Sequence, residues 1–259
     1  MRRILPHLLL ATLLSAFLYG YIPHKPLNAD QVEDAQFITW VASPKDIKMY
    51  WKHNGQLVNS FTNLKSIEPN LVFAMNGGMF DPNFSPVGLY VENGIKLKSI
   101  TRSHNPNYNY GIQPQGVFLI RDSVTASPII DPKTGRKNVL NDNHMEAEVT
   151  TIDSYTPAHV RYATESAPML IIKSKINPNL PKGTSSTIRN GVGILPDGRV
   201  FMAVSRNGVT FQEFASYFLQ KGCVNALYLD GGISGAYTGP NGSDGAFGVI
   251  IGVVNNKAK

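Results

Sequence analysis

Cysteine is almost absent from this chain, since Cys223 is the single cysteine among 259 residues. No disulfide can therefore form within the chain. Cys223 lies between a predicted helix and a predicted buried strand, where a free cysteine usually behaves as a small core residue. A catalytic nucleophile is the alternative, but no histidine is near in the sequence to activate the thiol. We expect Cys223 to lie in the core.

Runs of basic residues are also absent, although the chain has a net charge of +6 and a pI near 9.3. The lysines and arginines are spread along the sequence and are not interleaved with aromatic residues that could stack on bases. This distribution argues against nucleic acid as a partner. A mildly basic surface instead favours anionic substrates through long-range attraction.

Metal-binding spacings are missing as well. His53, His104, His144 and His159 do not occur in patterns such as H-x-x-x-H. We therefore expect no transition metal and no other cofactor. A calcium ion held by Asp or Asn oxygens stays open, because such sites have no fixed signature in a single sequence.

One long apolar stretch is present, at the N-terminus. Two arginines precede Ile4–Ile22, which is rich in leucine. This pattern is typical of a secretory signal or an N-terminal membrane anchor. We expect residues 1–22 to be that segment, 23–34 a polar linker and 35–256 one domain. The protein is then exported to the periplasm or cell surface, and its membrane contact is this segment if it stays uncleaved.

The composition of the domain indicates many turns and short strands, since the chain has 23 glycines and 17 prolines. Phe37–Ala42 and Ile47–Trp51 are predicted to form a hairpin, and the Asn93-Gly94 turn and the strands around Pro196-Asp197-Gly198 predict two more. Asp131–Asn143 is predicted as a polar connection. Repeated hairpins with few helices predict an α+β fold with a mixed, mostly antiparallel sheet.

One helix has both ends encoded in the sequence. Thr210 and Glu213 have the spacing of a capping box, and Gly222 follows as a stop signal. The apolar residues between them recur on one helical face; they are Phe211, Phe214, Ala215, Phe218 and Leu219. The next apolar run, Ala226–Leu229, predicts a buried strand.

Two predicted strands end in a similar way. Asp230-Gly231-Gly232 follows Ala226–Leu229, and Asn76-Gly77-Gly78 follows Val72–Met75. Glycines let the backbone turn sharply and approach a ligand closely. Asp230 either carries chemistry or caps its own turn, and Asn76 either binds a ligand or is a turn residue. Two strand ends of one design can flank a single pocket.

Four motifs together resemble the phosphodiester glycosidase family, over most of the chain after residue 35. They are Asn76-Gly77-Gly78-Met79-Phe80, Ser166-Ala167-Pro168-Met169-Leu170, Arg189-Asn190-Gly191-Val192-Gly193 and Asn225 through Ser234. The sequence departs from many family members at Ile233, where they have glycine, and at Met79, where they have an aromatic residue. Both changes make the expected pocket bulkier and affect the sugar more than the chemistry.

The resemblance implies hydrolysis of a sugar-1-phosphodiester, with a phosphorylated sugar or glycan as partner. Asp230 would be the nucleophile or the base that activates water, Arg189 would hold the phosphate with its planar fork, and Asn76 would complete the catalytic set. Ser166 and Ser234 would contact substrate. Backbone amides of glycines would add donors for the anion; they are Gly77, Gly78, Gly191, Gly231 and Gly232.

Each of these roles has an alternative. Arg189 could pair with a surface carboxylate, and Ser166 lacks the G-x-S-x-G elbow of a serine nucleophile. Glu165 and Asp81 are candidates for a second carboxylate, but each could equally be solvated. A binding module for phosphorylated glycans, without catalysis, is the alternative function.

Overall fold

The computed structural model describes residues 34–105, 107–130, 137–239 and 244–255. The predicted N-terminal segment 1–22 lies outside these ranges, as does nearly all of the predicted linker. Every strand pairing among the described residues is antiparallel. Two α-helices accompany the strands, and the predicted α+β class with mostly antiparallel sheet is confirmed.

The first half of the chain contributes nine strands. In chain order they are β1 (Phe37–Ala42), β2 (Ile47–Tyr50), β3 (Lys52–His53), β4 (Gln56–Leu57), β5 (Leu71–Asn76), β6 (Tyr90–Glu92), β7 (Ile95–Lys98), β8 (Gly116–Ile130) and β9 (Lys137–Thr151). Helix α1 (Phe61–Ile67) lies between β4 and β5, and the Ser60 hydroxyl caps its start by accepting from the amide of Asn63.

The second half contributes eight strands and helix α2 (Phe211–Gln220), which precedes β15. The strands are β10 (Val160–Ser166), β11 (Met169–Ile172), β12 (Lys175–Ile176), β13 (Asn190–Ile194), β14 (Val200–Ser205), β15 (Asn225–Tyr228), β16 (Ala236–Tyr237) and β17 (Ile250–Val254).

Three sheets share the core. Their strand orders are β1-β14-β13-β15-β11-β12, β7-β6-β10-β8-β9 and β16-β5-β17-β2. The largest apolar cluster lies between them, where Phe73 and Met75 of β5 meet Phe118 of β8 and Met202 of β14. Three strand ends that carry the sequence motifs, those of β5, β10 and β15, are therefore positioned by one core.

Helix α2 covers the opposite face of the six-stranded sheet. Thr210 and Glu213 form the predicted capping box, with both reciprocal hydrogen bonds present. Phe214 and Phe218 are completely buried against that face. Cys223 lies in the same cluster, and burial raises the pKa of its thiol to about 12. The thiol therefore stays protonated at neutral pH, and the core role expected for Cys223 fits its position.

Two of the predicted hairpins are confirmed and one is wrong. Hairpins β6–β7 and β13–β14 form as expected. Phe37–Ala42 and Ile47–Trp51 do not pair, because β1 joins β14 and β2 joins β17. Pro44–Asp46 forms a 3-10 turn between them, so that β1 enters the six-stranded sheet and β2 the four-stranded sheet.

The predicted polar connection Asp131–Asn143 is also wrong in part. Residues 137–143 continue strand β9, which pairs with β8 along its whole length, and residues 131–136 lie outside the described part. Pairing with β8 satisfies the backbone of a long hairpin whatever the polarity of its side chains. Composition alone therefore could not locate this strand.

Candidate active site

The two strand ends with the Asn/Asp-Gly-Gly pattern lie side by side. Asn76, at the end of β5, is completely buried, and its Nδ2 donates to the main-chain carbonyl of Asp230 at 2.7 Å. Its Oδ1 accepts from the amide of Gly235 at 3.1 Å. The amide of Asp230 in turn donates to the carbonyl of Gly77 at 3.2 Å. Asn76 therefore uses both polar side-chain atoms to hold the turn that carries Asp230.

A second asparagine, Asn190, connects this pair to β13. Its Nδ2 donates to the main-chain carbonyl of Asn76 at 2.7 Å, and its Oδ1 accepts from the Ser234 hydroxyl at 3.2 Å. Its own carbonyl accepts from the amide of Leu229 at 3.0 Å. Asn190 is completely buried, so these hydrogen bonds are shielded from water and electrostatically stronger.

The Asp230 carboxylate accepts no hydrogen bond from any described residue, in contrast to its firmly held main chain. Burial without a compensating donor raises the pKa of Asp230 from 3.8 to about 7. A carboxyl group that titrates near neutral pH can take up or release a proton during a reaction. The alternative that Asp230 caps its own turn is not supported, because its carboxylate does not accept from the amides of that turn.

Arg189 lies directly before β13, where the sequence predicted it, and is 3% exposed. Its Nε donates to the Val209 carbonyl at 2.8 Å and its Nη2 makes a long contact of 3.4 Å with the Ser185 carbonyl. The guanidinium lies 3.7 Å from the centre of the Phe211 ring. Nη1 is buried without a partner.

The expected alternative for Arg189, an ion pair with a carboxylate, is not present among the described residues. Burial lowers the pKa of Arg189, but a guanidinium stays protonated in proteins. Arg189 is therefore a buried cation that the described part of the chain leaves without a counterion.

Tyr228, at the end of β15, was missed as a site residue. It is completely buried, its ring packs edge-on against Phe211 at 4.9 Å, and Arg189 lies 5.5 Å from its ring centre. Burial raises the pKa of Tyr228, Arg189 lowers it and Asp230 raises it. Tyr228 thus lies within electrostatic range of both proposed functional groups.

The alternation of side chains in β15 distinguishes Tyr228 from its apolar neighbours. In a strand, successive side chains point to opposite faces. Leu227 and Leu229 belong to the cluster between the sheets, and Ala226 and Tyr228 to the cluster under helix α2. Tyr228 is the one polar side chain among these four, and it lies two residues before Asp230.

Some of the glycine amides that were expected to bind an anion already have hydrogen-bond partners. The amides of Gly77 and Gly232 donate to the carbonyls of Val249 at 2.7 Å and Ile188 at 2.9 Å. These two donors are therefore already used by the main chain, and Gly191 lies within the paired strand β13. An anion-binding nest built from these three amides is not seen.

Close packing explains the absence of side chains at three of the glycines. A Cβ at Gly78 would overlap the Thr164 hydroxyl and the Glu165 carbonyl, and one at Gly231 would overlap the Tyr228 hydroxyl. At Gly191 a Cβ would lie 3.1 Å from the Phe214 ring of helix α2. The glycine at position 78 also brings the end of β5 against the end of β10.

Ser166 ends β10 and is completely buried, with a hydroxyl that has no hydrogen-bond partner. The neighbouring Glu165 carboxylate is occupied: it accepts from the amides of Leu89 at 2.7 Å and Thr101 at 3.2 Å, and from the Tyr110 hydroxyl at 2.7 Å. Burial raises the pKa of Glu165 in spite of these donors. Glu165 ties separate chain segments together rather than offering a free second carboxylate.

The other candidate for a second carboxylate, Asp81, has a local role. Its Oδ1 accepts from the amides of Asn83 at 2.9 Å and Ser85 at 3.0 Å. This is the pattern of a side chain that closes a turn of its own segment. Among the predicted carboxylates, Asp230 is therefore the one left without a hydrogen bond.

The four motifs lie within the part of the chain that matches a known protein family. The family model described as phosphodiester glycosidase matches residues 69–254. The chain belongs to the phosphodiester glycosidase family. The matched range includes all four motifs on which the resemblance rested, and also Tyr228.

Relatives of this phosphodiester glycosidase family member include bacterial and animal proteins. The Escherichia coli (strain K12) protein YigE, described as uncharacterized, is 33% identical over 198 residues, which is 74% of this chain and 69% of YigE. The catalytic domain of zebrafish N-acetylglucosamine-1-phosphodiester alpha-N-acetylglucosaminidase, auto-inhibited by its pro-peptide, superposes with a TM-score of 0.54 at 13% identity. That match covers 85% of this chain and 76% of the other.

A second solved structure is the "Putative exported protein (BPSS2145)" of Burkholderia pseudomallei K96243, with a TM-score of 0.55 at 11% identity. It covers 85% of this chain and 74% of that protein. At such identities the two structural matches show a shared fold.

Neither described helix of this family member has the length and hydrophobicity needed to cross a membrane. Within the described ranges, no three His, Cys, Asp or Glu side chains are grouped so that they could hold a metal ion.

Proposed function

We propose that this chain is an exported glycosidase that hydrolyses a sugar-1-phosphodiester of an envelope or environmental glycan. The products are the free sugar and a phosphomonoester. Membership of the phosphodiester glycosidase family supports this reaction, as does the position of Arg189 before β13, next to the end of the paired strand β15 that leads from Tyr228 to Asp230.

One observation carries the proposal. Arg189 is buried, has no carboxylate partner in the described part of the chain, and has an Nη1 without any acceptor. A buried charge without a counterion costs several kcal/mol, so such groups are normally paired. A phosphate group of the substrate would supply the missing acceptor, since its oxygens match the planar donors of a guanidinium.

Asp230 supplies the second requirement, a carboxyl group near the anion. Ordinary glycosidases need one carboxylic acid to protonate the leaving oxygen and a second carboxylate on the opposite side. A phosphate departs as a stabilised anion, so protonation of the leaving group matters less. One free carboxyl group and one cation are then sufficient, which agrees with the occupied state of Glu165 and Asp81.

In this reaction the bond between the anomeric carbon and the phosphate oxygen breaks, and its electron pair leaves with the phosphomonoester. The oxygen of water becomes the new hydroxyl of the sugar. Asp230 either takes the proton of the attacking water or first bonds to the anomeric carbon itself, after which water releases the sugar. Arg189 stabilises the negative charge of the departing phosphate.

The experiment is a panel of sugar-1-phosphodiesters incubated with the wild type, Asp230→Asn and Asp81→Asn. We expect turnover of at least one ester by the wild type and by Asp81→Asn, and a loss of about 10²-fold or more in Asp230→Asn. Absence of turnover on every ester would contradict the proposal. Tight binding of an ester without hydrolysis would instead favour the binding module.

A further inference from the structure

We infer that the Tyr228 hydroxyl is an anion ligand that acts together with Arg189, so that one phosphate oxyanion is bound by an O–H and an N–H group from neighbouring strands. The inference deepens the proposed function and rests on it. It adds Tyr228, which the sequence did not predict as a site residue, to the residues that bind the substrate.

Packing explains why an aromatic ring is present at position 228, but it does not explain why the ring carries a hydroxyl group. The ring fills space under helix α2 and contacts Phe211, which a phenylalanine at position 228 would do equally well. The hydroxyl is buried and has no hydrogen-bond partner. It lies close enough to Arg189 and Gly231 for both to lower the pKa of Tyr228, yet neither contact has hydrogen-bond geometry. A buried hydroxyl without a partner destabilises the free protein.

Arg189, next to Tyr228, also has a buried donor without a hydrogen-bond partner. Its Nη1 is buried without an acceptor, and its guanidinium lies 5.5 Å from the centre of the Tyr228 ring. Two unused donors on adjacent side chains are what a tetrahedral oxyanion would satisfy together. A single phosphate would therefore remove two separate costs of the free protein.

The position of Tyr228 also suits the proposed reaction. Arg189 lowers the pKa of Tyr228 and Asp230 raises it, so both charges lie within electrostatic range of its hydroxyl. A phosphate held by Arg189 and Tyr228 would then lie next to the anomeric carbon that Asp230 serves.

Two segments cover these donors in the free protein. Gly231 lies against the Tyr228 hydroxyl, and the Ser185 carbonyl makes the long 3.4 Å contact with Arg189 Nη2. The turn around Gly232 is held by main-chain hydrogen bonds, whereas Thr184–Ser186 are exposed to solvent. We expect the anion to reach the two donors when Thr184–Ser186 move and the long Ser185 contact opens.

The test uses the full protein and measures its affinity for inorganic phosphate by calorimetry, together with thermal unfolding. Tyr228→Phe removes only the hydroxyl. We expect its phosphate Kd to rise by about 10-fold or more, as for the loss of a hydrogen bond to a charged group. We also expect its Tm without phosphate to be unchanged or higher, because an unpaired hydroxyl is removed.

Tyr50→Phe is the matched control, because the buried hydroxyl of Tyr50 also lacks a hydrogen-bond partner but lies on β2, in another sheet. Its phosphate affinity should equal that of the wild type. Arg189→Lys keeps the charge but not the planar fork, and should also weaken phosphate binding.

The outcomes separate the two claims. If Arg189→Lys weakens phosphate binding and Tyr228→Phe does not, the inference fails and the proposed function stands. A Tyr228→Phe protein that is clearly less stable without phosphate would also overturn the inference, since the hydroxyl then has a partner within the protein. No phosphate binding by the wild type would count against both claims.

Discussion

The Asn76 side chain holds the main-chain carbonyl of Asp230 at 2.7 Å, across 154 positions of sequence. The contact joins the end of β5 to the end of β15, and it concerns a backbone atom rather than the carboxylate. Asn76 is therefore a positioning residue for Asp230. The Oδ1 of Asn76 accepts from the Gly235 amide, so each polar atom of the side chain already makes one hydrogen bond within the protein.

The first prediction concerns Asn76→Ala. The substitution leaves the Gly235 amide without its acceptor in a buried place, and we expect a loss of about 2 to 3 kcal/mol in the free energy of unfolding. The turn that carries Asp230 loses one support, so kcat/KM should fall by about 10-fold or more. Urea unfolding and initial-rate kinetics measure the two effects.

Asn177→Ala is the control for this substitution. Asn177 is also buried, and its Nδ2 donates to the carbonyls of Met169 at 2.8 Å and Gln113 at 3.1 Å. A similar loss of stability with little change in kcat/KM is expected. Equal losses of activity in the two variants would show that Asn76 has no special part in positioning Asp230.

The second prediction concerns the pH dependence of stability at Asp230. Its folded pKa of about 7 lies above the unfolded value near 3.8, so the native state binds more protons between these values. The stability of the wild type therefore falls as pH rises from about 4 to about 7. Asp230→Asn lacks this titration and should be more stable than the wild type above about pH 7.

Thermal unfolding across this pH range tests the prediction. The Tm of Asp230→Asn should match that of the wild type near pH 4 and exceed it by about 10 °C near pH 8. A constant difference over the range would mean that Asp230 titrates normally. The raised pKa would then be the wrong basis for its role in proton transfer.

The third prediction concerns Glu165→Gln. Its carboxylate accepts from two backbone amides and a tyrosine hydroxyl, and an amide group cannot accept at both of its ends. We expect a loss of about 2 kcal/mol in the free energy of unfolding. The segments around Leu89 and Thr101 should loosen, which raises KM more than it lowers kcat.

Glu92→Gln is the matched control, since Glu92 is also held by a backbone amide, that of Trp51, and a tyrosine hydroxyl, that of Tyr90. Both donors reach the same oxygen, Oε2, which the amide oxygen of glutamine can replace, so Glu92→Gln should keep both its stability and its KM. If Glu165→Gln instead abolishes kcat at unchanged KM, Glu165 takes part in the chemistry directly.

The fourth prediction is a double-mutant cycle between Gly231 and Tyr228. A Cβ at position 231 would overlap the Tyr228 hydroxyl, so Gly231→Ala should cost about 1 to 3 kcal/mol of stability. Tyr228→Phe removes the overlapping oxygen and should recover part of this loss. Additive effects in chemical unfolding would show that the two residues are not in contact.

Local signals in the sequence predicted local structure well. Helix α2 begins at the predicted capping box of Thr210 and Glu213, and hairpin β6–β7 turns at Asn93-Gly94. Helix α1 was not predicted, although Ser60 caps its first turn. Each of these features is decided by residues that are close together in the chain.

Pairing between distant strands could not be predicted in the same way. The sequence gives no indication that β1 should pair with β14 rather than with its neighbour β2, because both candidates are apolar and of similar length. The choice depends on which sheet each strand completes around the shared core. That is a property of the assembled core and not of any short segment.

The sequence predicted that the strand ends of Asn76 and Asp230 are neighbours, but not the hydrogen bonds of their side chains. Asn76 and Asp230 do meet, and Arg189 lies at the start of β13 as expected. The roles of the glycines and of Glu165 depend on which hydrogen bonds are already made elsewhere in the fold. These hydrogen bonds could not be predicted from the sequence, because their partners, Val249, Ile188 and Leu89, lie in other segments of the chain.

The turn from Asp230 to Ser234 is held by hydrogen bonds to its peptide groups. Asn76 binds the Asp230 carbonyl, and the Ile188 carbonyl binds the Gly232 amide. These main-chain hydrogen bonds do not involve the side chain of Ile233, which is 51% exposed. New side chains could be tried at this position without rebuilding what surrounds it. The site can therefore diversify in the molecules it accepts while its reacting group stays in place.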